Sequence, residues 1–335
     1  MNVPRPIGAR RSVVEYLALH FASQADLGEG RRDAVHVVHG SGRASRLRVP
    51  PGWLTLVLPL SGQLQLQSQD EYWELAKGEL QVWRDAALRV DCPLPGHWLA
   101  LAATPEAWRR HLRALAVKEP VAEVFLRTSR CPRSLRRLLV RLARAARGGI
   151  GPDPGLLLEA AWVAVLEQQA DLQPCLQRCG GRTLDRRRKT LQRLLRVQHL
   201  VRTHRNNRPD VGWLARSVSY SPWHLIRAYR DVFGETPTEY AARLRLARAW
   251  TMARDTRMPI CEIAEALGFE SQSSFCRAFK QAYGVTTGSV RSASAVAPAV
   301  GQVIAPGSAL RCGRVRPSWK SDGKERESAA CGRGC

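Results

Sequence analysis

The stretch LARSVSYSPWHLIRAYRDVFGETP, Leu214 to Pro237, is followed about fifty residues on by IAEALGFESQSSFCRAFKQAYGVTT, Ile263 to Thr287. Each reads as a short helix, a tight turn, a serine, a second amphipathic helix and a closing glycine. This is a helix-turn-helix written twice, and it makes double-stranded DNA the leading candidate ligand.

In the first copy Ser221 is a good N-cap, because its hydroxyl can accept from an otherwise unpaired helix-start N–H. Pro222 follows at the first helical position, where a missing N–H costs nothing. Leu225, Ile226, Tyr229 and Phe233 recur at helical spacing and should face a core, which leaves Trp223, His224, Arg227 and Arg230 on the other side. Gly234 ends the helix, being free to take positive φ. The second copy repeats this logic. Ser271 caps, Phe275, Phe279 and Tyr283 pack, and Gly284 closes, so Gln272, Ser273, Cys276, Arg277 and Lys280 face outward. Leu214, Ala215 and Val218, then Ile263, Ala264 and Leu267, supply the supporting helices. Small Ala215 and Ala264 allow close approach where two helices cross.

Between the copies runs TPTEYAARLRLARAWTMARD. Thr236 to Glu239 is a capping box with Pro237 in the first turn. The helix can continue to about Asp255, before Met258–Pro259 breaks the pattern. Some twenty residues span roughly 30 Å, and one turn of B-DNA is about 34 Å. A rod of this length could present two reading helices to successive major grooves on one face of the duplex.

On these motifs the segment from about Leu191 to Arg291 resembles the DNA-binding domain of the AraC/XylS family of transcription regulators; IAEALGFESQSSFCRAFKQAYG is the more specific stretch. The resemblance implies seven helices in two subdomains joined by the long helix. It implies an activator working with RNA polymerase. It also implies that Trp223, Arg227, Gln272, Ser273, Cys276 and Arg277 face bases or phosphates. A guanidinium can engage a guanine edge bidentately, so Arg227 and Arg277 are the expected direct readers, with Gln272 suited to adenine. Trp223 could pack on sugar or a thymine methyl. Ser221, Ser271, Arg230 and Lys280 would hold phosphates, and His224 lies on the same face. Three positions depart from the family pattern. Ser219 stands where glycine is usual and predicts a strained turn. Thr287 replaces proline and Val290 an aromatic residue, which predicts a short last helix.

At 335 residues the chain should hold two domains. The expected division is a sensor and dimerisation domain over 1–172, a linker over 173–189, the DNA-binding domain over 190–291 and a disordered basic tail over 292–335. The net charge of +23 suits a polyanion partner. No run of about eighteen apolar residues exists, so no membrane span is expected. The N-terminus lacks the apolar core and cleavage site of a signal peptide. Nine scattered cysteines without a paired framework fit a reducing cytoplasm, with the protein on the nucleoid.

From about Val35 to Leu101 the pattern alternates. Segments at Trp53, Gly62 and Glu79 read as strands, with Gly and Pro at the turns. The fold class is therefore multidomain: an N-terminal, mainly-β, cupin-like sandwich or barrel followed by helices, then an all-α domain. YWELAKGELQVW resembles a turn of cupin-like sensor domains. Trp53, Trp73, Trp83 and Trp98 could line a pocket for a small-molecule effector, or fill the core. His36 and His39, three apart, would point to opposite faces of a strand, so neither a metal site nor another cofactor is expected. Leu135, Leu138, Leu139, Leu142 and Ala146 make an apolar stripe, and GLLLEAAWVAVLEQQ is apolar almost all round. The two should form a helical hairpin against the barrel or against a second subunit of a homodimer. An alternative reading is a cupin-type enzyme with a DNA-binding appendage. A Cys-based alkyl acceptor lacks its motifs here, and a nonspecific DNA- or RNA-coating protein would explain the charge but not the repeated, capped turns.

Overall fold

The computed structural model describes residues 14–69, 71–84, 86–112, 124–148, 151–203 and 210–293. The N-terminal half is built from eleven strands among the described residues: β1 (Val14–Leu19), β2 (Gln24–Asp26), β3 (Val35–Ser41), β4 (Arg46–Val49), β5 (Leu54–Ser61), β6 (Leu64–Ser68), β7 (Glu71–Leu75), β8 (Glu79–Trp83), β9 (Leu88–Asp91), β10 (His97–Ala103) and β11 (Arg127–Arg130). Six form one sheet in the order β1-β3-β10-β5-β8-β11, and five form a second in the order β2-β4-β9-β6-β7. Pairing is antiparallel except for β1 with β3 and β2 with β4.

The two sheets differ in sequence because they differ in what covers them. The five-stranded sheet buries one face, so its strands alternate: in Leu64-Gln-Leu-Gln the leucines are buried and the glutamines are not, and in Arg46-Leu-Arg-Val the arginines face solvent. The six-stranded sheet is covered on both faces. Val38, Val57, Trp98 and Ala100 meet the other sheet, and Val37, Leu56, Leu99 and Leu101 meet helices. Its central strands are therefore apolar runs, Leu-Thr-Leu-Val-Leu-Pro-Leu and Trp-Leu-Ala-Leu-Ala-Ala.

The covering helices are α1 (Pro105–His111), α2 (Arg133–Ala146) and α3 (Pro154–Gln168). Leu135, Leu139 and Leu142 of α2 and Leu157, Leu158, Trp162 and Val165 of α3 join the core on that face. The hairpin thus packs within its own chain. A helix apolar on every side predicts complete burial of α3, but Leu156 and Val163 are exposed; α3 packs against α2 and, through Trp162, on Trp108 of α1 at 4.6 Å.

The segment 173–189, expected as a linker, carries α4 (Gln173–Arg178) and the first turns of α5 (Leu184–Thr203). Cys175, Leu176 and Cys179 are buried with Leu191, Leu194 and Leu195 of α5. Burial pushes the Cys179 thiol up to about 11, so it is an inert packing residue. The segments 1–13 and 294–335, which hold the N-terminal stretch and nearly all of the expected tail with its cysteines, lie outside the described residues.

Among the described residues seven helices make the C-terminal half: α5, α6 (Val211–Ser217), α7 (Pro222–Phe233), α8 (Pro237–Asp255), α9 (Ile260–Ala266), α10 (Gln272–Tyr283) and α11 (Thr287–Ala293). They enclose two cores. One gathers Leu194, Leu214, Leu225 and Tyr229, and the other Ile263, Leu267, Phe275 and Phe279. Helix α8 belongs to both, giving Tyr240 and Ala241 to the first and Ala249 and Ala253 to the second. Its N-terminus carries the complete capping box between Thr236 and Glu239. The last helix is described over Thr287–Ala293 and buries Val290 where an aromatic ring was the family norm.

Helix α5 also joins the two halves. Arg196 donates to Glu71 of β7 at 2.8 Å and lies over the Trp83 ring at 5.0 Å. His199, one turn on, is 3.8 Å from the other Glu71 oxygen and stands edge-on to Trp73 and Trp83, at 4.6 and 5.1 Å. Arg202 donates to the Thr128 carbonyl of β11. Burial, reinforced by Arg196 and Arg202, holds the His199 imidazole well below its usual pKa. The sign of the pH effect follows. Above about pH 6.5 His199 is neutral folded or unfolded and contributes no pH dependence; below it the unfolded chain takes up the proton first, so stability declines by up to about 1.4 kcal/mol per pH unit. Thermal unfolding between pH 7.5 and 5.5 should therefore show a steeper loss for the parent than for His199→Leu, and equal slopes would remove this role.

Candidate nucleic-acid interface

The two helix-turn-helix units are built on the same logic. In the first, Tyr220 N–H donates back to the Ala215 carbonyl at 2.8 Å; in the second, Phe269 N–H donates to Ala264 at 2.9 Å. The left-handed residue of each turn is Ser219, at φ 57°, and Gly268, at φ 70°. The second turn is one residue longer, with Glu270 inserted before the cap. Ser221 then accepts from His224 N–H at 3.3 Å, and Ser271 from Ser274 N–H at 3.1 Å. Gly234 and Gly284 close α7 and α10 in the left-handed conformation, at φ 80° and 71°.

On α7 the side chains expected to face outward do so. Trp223 is 68% exposed, and His224, Arg227 and Arg230 are exposed beside it. Arg227 is held from two sides. Its guanidinium lies 5.4 Å from the Trp223 ring centroid, and its Nε is 3.9 Å from Asp231 one turn further on. His224 meets the edge of Tyr220 at 4.6 Å, and Arg193 of α5 lies over the same tyrosine ring at 5.2 Å. Asp231 and Tyr220 did not figure among the expected site residues. Asp231 was legible as an i,i+4 partner of Arg227.

On α10, Gln272, Ser273, Arg277 and Lys280 are exposed, while Cys276 is half-buried and packs against the second core. The Arg277 Nε reaches back towards the Ser273 carbonyl at 3.4 Å. Arg230, Arg277 and Lys280 have no carboxylate partner among the described residues. Each helix thus presents cations at both its middle and its last turn, with a capped N-terminus whose orphan N–H groups favour an anion.

The four tryptophans named as effector candidates all sit in the cluster between the two sheets. Trp98 donates to Ser45 at 3.1 Å, Trp83 donates to the Ala86 carbonyl at 2.9 Å, and Trp53 stacks on His36. Trp73 and Trp83 pack together at 4.8 Å and also form the wall against His199. None of the four lines the small cavity of about 10 Å³ between the six-stranded sheet and α2, which is bounded by Leu56, Leu99 and Leu139 among others. A wider surface groove of about 400 Å³ lies at the rim of the other sheet, with Asp26, Arg48, Gln67 and Arg89 along it.

Two capped helices held on one rod, each turned outward by a tight turn, define a double helix-turn-helix protein. The family described as "Helix-turn-helix domain" matches residues 214–293. The probable transcription factor PqrA of Proteus vulgaris is 36% identical over 87 residues, covering 26% of this chain and 71% of that protein. The regulatory protein SoxS of Salmonella typhimurium is 35% identical over 82 residues, covering 24% of this chain and 77% of that one. The transcriptional regulator Rob of Salmonella typhimurium is 37% identical over 81 residues, but the chain spans only 28% of its length. The chain belongs to the AraC family of DNA-binding transcription regulators. Among the described residues no helix is long and apolar enough to cross a membrane.

Ser219 marks where the two turns differ in cost. A side chain in the left-handed region costs roughly 1–2 kcal/mol that glycine avoids. Ser219→Gly should raise the stability of the first helix-turn-helix by about 1 kcal/mol, and Gly268→Ser should lower that of the second by a similar amount. Denaturant midpoints followed by circular dichroism read both; a neutral or destabilising Ser219→Gly would show that the serine hydroxyl contributes what the backbone loses.

Proposed function

We propose that this protein is a sequence-specific transcription activator that places α7 and α10 in two successive major grooves on one face of the duplex. The observation that carries the reading is α8: nineteen residues, about 28 Å at 1.5 Å each, anchored at its two ends in two separate cores, against a helical repeat of about 34 Å. In this reading Arg227, Gln272 and Arg277 read base edges, and Trp223 packs on sugar or a thymine methyl. Ser273, Cys276 and His224 line the same surfaces. Ser221, Ser271, Arg230 and Lys280 contact phosphates and set register.

Residues 1–172 act as a sensor and dimerisation domain for a small-molecule effector, and residues 190–291 as the DNA-binding domain, with RNA polymerase as the downstream partner in the cytoplasm. Supporting this division, the sheets and the two helical cores are separate clusters of buried residues; α4 and α5 belong to the first helical core, which also takes in Phe125 and Leu172 from the first half. The tryptophans Trp53, Trp73, Trp83 and Trp98 are the aromatic surfaces such an effector would have to reach, and two of them adjoin α5.

The test is differential. Arg277→Ala should lose about 1–3 kcal/mol on the preferred sequence and relax preference at one base position. Arg230→Ala or Lys280→Ala should weaken binding to all sequences and reduce the salt slope by about 1 each. Binding-site selection from random duplexes followed by salt titrations separates the two behaviours. Equal losses on selected and random DNA for Arg277→Ala would refute base reading by that residue.

A further inference from the structure

Between Val124 and Pro152 the chain carries eight arginines and not one acidic residue. Most of them fall on α2. Its buried stripe of Leu135, Leu139, Leu142 and Ala143 turns Arg133, Arg137, Arg141 and Arg144 to solvent, with Arg147 just beyond the last turn. None of these five has an ion-pair partner among the described residues. Elsewhere on the surface some exposed arginines have one, among them Arg46 with Asp91, Arg109 with Glu106, Arg216 with Asp210, Arg243 with Glu235 and Arg254 with Asp255, while others, such as Arg32, Arg43 and Arg182, have none among the described residues. The other places where outward cations stand without carboxylates include the two reading helices.

Like charges three and four residues apart on one helix repel, so nothing within the helix favours this pattern. A polyanion removes the repulsion. Helix α2 is about 21 Å long, and duplex DNA of that length carries about a dozen phosphates, so its outer arginines find as many anions as they can reach. Arginine forks pair with phosphate oxygens bidentately.

We propose that the solvent face of α2 is a second DNA-backbone contact, on the half of the chain that carries the sheets, and that it engages duplex DNA outside the segment held by α7 and α10. This rests on the DNA-reading function above and extends the protein's footprint without adding base recognition. The contact is electrostatic and indifferent to sequence, so it raises affinity for long duplexes and steepens the dependence on salt.

The test uses the full chain and a triple variant, Arg137→Gln/Arg141→Gln/Arg144→Gln, which keeps good helix formers on an exposed face. Each is titrated against a selected cognate duplex about two helical turns long, and against the same site within random flanks at least twice that length. The variant should match the parent on the short duplex. On the long duplex it should bind at least tenfold more weakly at low salt, with the slope of log K against log salt reduced by roughly 2–3, about 0.9 for each lost phosphate contact. Indistinguishable titrations on the long duplex would overturn the proposal, as would an equal loss on both lengths. A defect appearing only on anionic lipid vesicles or acidic polypeptide, with both duplexes unaffected, would overturn it too. If the triple variant melts early, the pair Arg133→Gln/Arg147→Gln at the two ends of the same face is read in the same way. Should the parent fail on the short duplex, the reading function fails, while the difference between parent and variant on the long duplex still reports on α2.

Discussion

The two outward helices of the helix-turn-helix units, α7 and α10, depend on a single piece of backbone. Helix α8 contributes Tyr240 and Ala241 to one core and Ala249 and Ala253 to the next, so the separation of α7 from α10 is set by helical rise and not by a flexible connection. The residues at the contacts explain why this works. At its far end α8 offers Ala249 and Ala253 to the cluster that holds Phe275 and Phe279 of α10. Trp250 adds a stacked contact with Phe279 at 5.7 Å. Helices α7 and α10 are each fixed at both ends by local chemistry, a serine at the start and a left-handed glycine at the finish. Rotation of either helix about its axis would expose phenylalanine or tyrosine, and sliding would break a cap.

How much of this was legible in the sequence follows from how local each determinant is. The turns, caps and apolar spacing of α7 and α10 are written within a dozen residues, and the outward positions Trp223, Arg227, Gln272 and Arg277 follow from the period alone. The rod was legible to its last residue because Thr236, Pro237 and Glu239 open it and Pro259 follows it. In the sheet half, strands β5, β6 and β8 were readable, whereas β2, β4 and β9, three or four residues each, offer too few alternations to register. The parallel pairings of β1 and β2 depend on distant partners that no local pattern specifies. Segment 173–189 packs through equally distant partners: Cys175, Leu176 and Cys179 look isolated until the leucines of α5 are placed beside them.

The junction between the halves was wholly invisible in this sense. Arg196 and Glu71 are 125 positions apart, and nothing near either announces the other. Tryptophans 73 and 83 could be read as pocket or core, and they are core, yet they also present their edges to His199. A residue class was legible, and its second neighbour was not. The same holds at Arg227, where both Trp223 and Asp231 were one helical turn away and the clamp they make required coordinates.

Helix α5 has two working faces in adjacent residues. His199 and Arg196 meet β7 and β8, while Gln198 lies beside the buried hydroxyl of Tyr229 on α7. A helix gripped this way cannot shift at one face without disturbing the other. Any ligand that bound the sheets only with α5 displaced, where that displacement also moved α7, would be thermodynamically linked to whatever α7 touches. The linkage runs with equal force in both directions: if occupancy of the sheet half changes affinity for DNA by some factor, occupancy by DNA changes affinity in the sheet half by that same factor. Promoter sequence would then become an input to ligand sensing as well as its output.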